Sequence, residues 1–345
     1  MADALRPAFR SYHEIDPAAP EGDTLHLAWI RDERECLAVD LTKVLADELR
    51  AEIDREPSFD RYLVRDPYGE ETLGPAIAAA FELPAWRGQI TCGAGVVSLL
   101  HGLARLATGD AVRIVGDVYP DFPYWVAQSR HPTDIAVWFL ERPSLIGDAF
   151  NDLTDLSALC DDAARRGAVV IVDESNANYY PPAWSAVGLA LARDNLVVAR
   201  GFSKAYGLGG LRLAFCVASP ALTERVRTTV PPLLASSLSL RLGARTLTLG
   251  DLTAPLRTRM RTHKREVIEL LDRVGVEGLV PASKHLPYVL SRANREQLNA
   301  RLESRGVIGK LHPIWSGSSA SLDYIYRLSV PLSHARFTRL RQLLG

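Results

Sequence analysis

Three polar residues of the 345-residue chain stand where apolar runs give out. Asp173 follows AVVIV, and Ser203 and Lys204 lie in the turn after NLVVA, with Arg212 eight residues beyond the lysine. Singly, an aspartate there reads as a helix cap and a lysine as a solvent-facing charge. Together they offer an amine that can attack an aldehyde carbon and an acid that can keep a ring nitrogen protonated. A hydroxyl and a planar guanidinium add a grip for phosphate. The glycines of GLGG let the backbone turn close to whatever those groups hold.

Pyridoxal 5'-phosphate makes that set of demands: a lysine for a Schiff base, an acid for its pyridine nitrogen and donors for its phosphate. Ligands of an α/β sheet gather at the carboxyl ends of strands, so the elements around these residues decide whether they can meet. Between about Ile90 and Ser219, short apolar runs recur: AVRIVGDV, DIAVWFL, AVVIVDE, NLVVARGF and LRLAFCVAS. Helical stretches such as GVVSLLHGLARLA and DLSALCDDAARRG separate several of them, which predicts strands buried on both faces of a mostly parallel sheet. Upstream, DLTKVLADELRAEID has helical spacing with Asp40 or Thr42 as cap, and a Pro-Gly turn in RDPYG feeds a second helix. After Pro231, two helices, a small sheet from YVLSR and YRLSV, and a last helix in LSHARFTRLRQLLG are expected.

Composition narrows the field. With 41 acids against 40 bases and 47% hydrophobic residues, the chain is globular with a sizeable core and gives no broad electrostatic case for nucleic acid or an anionic membrane. Four scattered cysteines without zinc spacing argue against a metal site or a disulfide framework. The N-terminus carries charge and proline where a signal peptide needs an apolar core, and no run approaches a membrane span, so a soluble cytoplasmic protein is expected.

The stretch SKAYGLGGLRLAF resembles the S-K-x-x-x-L-x-G-x-R signature of class I and II aminotransferases of fold type I, above all the histidinol-phosphate aminotransferase branch. The resemblance runs from about Asp66 to the terminus. It implies an α/β fold with a mostly parallel central sheet in a large domain (36–234), a smaller α+β domain (235–345) and an N-terminal arm (1–35) belonging partly to the small one. It also implies a homodimer with a shared site, an amino-acid substrate and a keto-acid acceptor.

By the same resemblance Ala94 and Gly95 of TCGAGVV would offer backbone N–H groups to phosphate, and Tyr119 would stack on the pyridine. Arg327 of YRLSV would grip the substrate carboxylate. Tyr62 or Tyr68 of YLVRDPYG would reach the phosphate of the neighbouring subunit.

The chain also departs from the pattern, at both contacts to the cofactor's 3'-oxygen. N-P-T-G is replaced in ERPSLIGD, where Ser144 is the nearest polar residue, and Asn176 stands for the tyrosine of D-E-x-Y, with Tyr179 or Tyr180 as shifted phenols. In the entry segment LHLAWIRDERE, Trp29, Asp32 and Glu33 replace an N-E-N-like run, and GKLHPIW adds Lys310, His312 and Trp315 near the substrate end. Gly201 sits where relatives carry a hydroxyl three residues before the lysine. The expected activity is transamination of an α-amino acid on Lys204. A lyase, cyclase, decarboxylase or oxidase drawing on the same carbanion is the alternative, and a non-catalytic cofactor-binding domain is the third class.

Overall fold

The computed structural model describes residues 22–55, 65–107, 112–119, 121–128, 135–147, 150, 152–316 and 322–345, with the backbone alone for 55, 295, 313–316 and 322–323. Its larger sheet has six strands: β1 (Ile90–Gly93), β2 (Val112–Ile114), β3 (Ala136–Glu141), β4 (Ala168–Asp173), β5 (Leu196–Gly201) and β6 (Ala214–Val217). They lie in the order β1-β6-β5-β4-β3-β2. The run β5-β4-β3-β2 is parallel, and β6 is antiparallel to both β5 and β1.

Strand alternation explains why these runs are apolar throughout. Val170 and Val172 of β4 pack with Leu196 and Val198 of β5 on one face, while Val169 and Ile171 pack with Val197 and Ala199 on the other. On the second face lies α1 (Val96–Ala104), whose Leu99, Leu100 and Leu103 are buried there. The stretch AVRIVGDV reads as one strand but folds as two: Gly116, at φ +76°, turns the chain, and Asp117–Val118 pairs with the other sheet.

That second sheet is antiparallel: Asp117–Val118, then β8 (Lys310–Ser316), β9 (Leu322–Ser329), β7 (Tyr288–Ser291) and Leu279–Val280. The tail helix α2 (His334–Leu344) and residues Leu25, Leu27 and Cys36 of the N-terminal segment share its core. A helix at Ser237–Leu247 falls after the 234/235 division expected from sequence, yet its Leu240 and Leu247, and then Leu252, lie in the core of the larger sheet. The second core takes over at Leu256. All four cysteines are free and buried. Among the described residues no helix is long and apolar enough to cross a membrane.

Candidate functional site

Strand ends of the larger sheet and one wall of the smaller sheet enclose a cavity of about 310 Å³. Asp173, Ser203, Lys204, Asn176, Tyr119 and Arg212 line it from the first side, and Trp29 and Arg327 from the second. Residues distant in sequence therefore meet in one place.

Asp173 is the last residue of β4 and only 4% exposed. The Ser175 N–H donates to its Oδ1 at 2.8 Å, but burial dominates and pushes the carboxyl up to about 6. Lys204 lies three residues past β5 on a tightly held turn. Its carbonyl accepts from the Tyr206 N–H at 2.8 Å and from Asn178 Nδ2 at 3.2 Å, and Asn178 also donates to the Gly201 carbonyl at 2.8 Å. Arg200 donates to Asn178 Oδ1 at 2.8 Å, so the amide is fixed from behind.

At the other end of the cavity Arg212, itself at φ +49°, reaches across to the glycine turn, where Nη2 donates to the Ala94 carbonyl at 2.9 Å. Gly95 has φ +84°, and a Cβ there would lie 2.5 Å from that same Nη2. Glycine is required by both the backbone and the approach. Of the N–H groups expected to meet phosphate at Ala94 and Gly95, that of Gly95 donates to the Gly93 carbonyl at 2.8 Å, and the cavity is lined just beyond them by Val96 and Val97, the first residues of α1. The leading N–H groups of a helix have no intrahelical acceptor and carry the positive end of its dipole, which suits an anion.

Arg327 is 8% exposed, with its guanidinium 4.5 Å over the Tyr288 ring and Nη2 donating to the Ala28 carbonyl at 3.3 Å. Lys310 stands opposite it in the β8–β9 register, with its ammonium 4.4 Å over the Trp29 ring. Burial, reinforced by the charges of Arg327 and Lys204, pushes Lys310 down to about 7. His312, two residues along β8 and so on the same face, also lines the cavity, and burial holds it well below its ordinary range.

Other expected residues lie elsewhere. Ser144 turns away, its hydroxyl donating to the Ile146 carbonyl at 2.9 Å, and Leu145 faces the cavity in its place. Tyr179 donates its phenol to Glu33, and Tyr180 pairs with Ser283 at 2.9 Å, so neither phenol lines the cavity. Asn176 does, and its Oδ1 is buried without a hydrogen-bond partner among the described residues. Tyr68 stands under the Arg227 guanidinium at 4.5 Å, outside the cavity, while Tyr62 lies outside the described residues.

Gly201 and Gly209 line it too, and Glu141, Ser175, Tyr288 and Leu100 do so without having been singled out in the sequence. Glu141 was accessible to the same rule as Asp173, since it directly follows the apolar run AVWFL.

The arrangement meets the three demands of pyridoxal phosphate. Lys204 lines one cavity with an anion-suited set, the α1 N-terminus, Ser203 and Arg212, and with the acid Asp173. The glycine turn makes room for the Arg212 guanidinium, and the Asn176 side chain faces the cavity with its Oδ1 unpaired among the described residues.

Comparison with known proteins agrees in kind. The family described as aminotransferase class I and II matches residues 146–308. An aromatic amino acid aminotransferase of Cutibacterium acnes is 24% identical over 292 residues, covering 77% of this chain and 80% of that protein. A histidinol-phosphate aminotransferase of Sinorhizobium meliloti, solved with pyridoxal-5'-phosphate, superposes with a TM-score of 0.65 at 18% identity, covering 87% of this chain and 86% of that one. An L-threonine-O-3-phosphate decarboxylase of Porphyromonas gingivalis reaches 0.67 at 15% identity, covering 93% and 98%. At such identities the two structures speak for the fold alone.

Proposed function

Because the chain belongs to the class I and II aminotransferases, which work with pyridoxal 5'-phosphate, we propose that it moves the amino group of an α-amino acid to a keto acid, with Lys204 carrying the proton. The observation behind this reading is the convergence of Lys204, Asp173, Arg212 and Arg327 on one cavity.

When bound, the cofactor supplies an aldehyde for the lysine amine and an electron-poor ring that draws charge from the substrate Cα. Ser203, Arg212 and the N–H groups of Val96 and Val97 would hold its phosphate, and Tyr119 would cover its ring. Asp173, itself buried, would keep a proton at the ring nitrogen by a charge-assisted hydrogen bond. Asn176 would donate through its amide to the 3'-oxygen in place of the absent N-P-T-G asparagine. Arg327 would take the substrate carboxylate through its fork and so place the Cα proton before Lys204, whose amine would take that proton as base and deliver it as acid to the carbon that the cofactor brings as its aldehyde. Trp29 shapes the wall where the side chain lies.

The finer placement of the enzyme is part of the same proposal. A homodimer, with Tyr62 or Tyr68 reaching the other copy's phosphate, accords with the resemblance of the YLVRDPYG turn. A cytoplasmic setting accords with four unpaired thiols.

Incubating the purified chain with pyridoxal phosphate and an amino acid, without acceptor, tests the reaction. One keto acid per site and an aminated cofactor are expected, and Lys204→Ala should yield neither. Ammonia or carbon dioxide released over many turnovers would assign the chain to elimination or decarboxylation instead.

A further inference from the structure

Glu33 belongs to no part of the machinery above, yet it is buried within reach of its centre. It opens the short turn Glu33–Cys36 of the N-terminal segment and is 5% exposed. Its Oε1 accepts the Ala205 N–H at 2.7 Å and the Tyr179 phenol, and the charge of Lys204 bears on it. Burying a carboxyl there is costly, and the group is pushed up from the ordinary carboxylate range by burial, against the pull of Tyr179, Lys204 and the Ala205 N–H. The charge of Asp32 pushes it the same way as burial.

Ala205 explains what that cost sustains. It follows Lys204 directly and has φ +64°, a left-handed conformation that a residue with a Cβ keeps only when its surroundings impose it. Two anchors hold the lysine's flanking peptide: Asn178 grips the Lys204 carbonyl, and Glu33 grips the N–H on the other side of the same bond. Asn178 is braced by Arg200 of β5. Glu33 comes instead from the segment whose Leu25, Leu27 and Cys36 pack in the second core, as Ala205 itself does.

We infer that Glu33 is the positioning residue for Lys204: its carboxyl fixes the left-handed step after the lysine and so aims the amine into the cavity, coupling the docked N-terminal segment to the reacting end. The inference rests on the proposed role of Lys204.

A comparison in two backgrounds tests it. Glu33→Leu and Glu33→Ala, the second in case the first does not fold, and Glu33→Gln are made with Lys204 present and with Lys204→Ala. Each is checked for a cooperative melt, and pyridoxal phosphate affinity and the circular dichroism of its visible band are measured. With Lys204 present, the Leu and Ala variants are expected to bind about tenfold more weakly, as losing a hydrogen bond to a charged group would cause, with a reduced dichroic band. Glu33→Gln, whose amide oxygen still accepts from Ala205, should recover most of both. In Lys204→Ala the same changes should leave affinity unaltered. An equal loss in both backgrounds, or none in either, overturns the positioning role while leaving the proposed function standing. A parent chain that takes up no pyridoxal phosphate overturns both.

Discussion

Glu141 and Asp173 end neighbouring parallel strands in direct register, so two carboxyls share one corner of the cavity. They cannot both ionise cheaply. Asp173, pushed up to about 6, loses its proton first, and burial together with the resulting charge holds Glu141 well above its ordinary range. At pH 7, above the value near 6 of Asp173, the anion of the pair is Asp173. Glu141→Gln, a neutral stand-in for the acid, should stay within about twofold of the parent at that pH, while Asp173→Asn should cost about 10²–10³-fold in turnover as a lost electrostatic partner. Measured across pH, the Glu141 variant should also lack any alkaline change due to the second carboxyl. Equal losses for the two variants at pH 7 would show that Glu141, not Asp173, carries the charge.

Lys310 predicts a pH dependence of a different origin. Its ammonium lies beside Arg327 in a wall expected to receive the substrate carboxylate, and burial pushes it down to about 7. The positive charge is present below that pH and lost above it. KM for the amino acid should rise as pH passes about 7, with kcat less affected, and Lys310→Met should show a raised KM that is flat through the same range. A parent KM independent of pH between 6 and 8, as about one unit on each side, would remove Lys310 from substrate binding.

Behind Asp173 the next residue anchors the strand end. Glu174 is fully buried and accepts from Arg142 at 2.7 Å, from Arg200 at 2.6 Å, from the Ala186 N–H at 2.8 Å and from Ser185, while the Arg142 guanidinium lies 3.5 Å over Trp184. Removing its charge leaves two buried guanidinium groups uncompensated. Glu174→Gln should destabilise the fold by about 3–5 kcal/mol, read as a lowered unfolding midpoint in urea. An unchanged midpoint would mean that water reaches the two arginines.

Much of this was legible because the strand-end rule is local: an apolar run followed by a polar residue places that residue at a rim, as it does for Asp173 and Lys204. The break inside AVRIVGDV was not legible, since the pairing of Asp117–Val118 is decided by β8, far along the chain. For the same reason GKLHPIW gave residues but no strand, and Lys310 could be set opposite Arg327 only by the hairpin register. Glu33 stood out only as a departure in the entry segment, and its contact was not legible: its partner is a backbone N–H 172 positions away, and nothing in the type of either residue announces the pairing.

Gly201 shows a departure from the aminotransferase pattern being compensated elsewhere. The resemblance leads one to expect a hydroxyl there, but in this chain a Cβ at Gly201 would lie 2.6 Å from Val96 Cγ2, closer than real contacts allow. Val96 opens α1 at the anion-suited end, lines the cavity beside Gly201 and is 9% exposed, so its side chain occupies the space a serine would need. Gly201→Ser alone should force Val96 aside, costing about 1–3 kcal/mol of stability and weakening pyridoxal phosphate binding, because the first N–H groups of α1 move with it. Val96→Ala should relieve the overlap. In the double variant the two changes should therefore be non-additive, with both the melt and the cofactor affinity recovering toward the parent. Strict additivity of the two substitutions would mean that Val96 does not fill the serine's place.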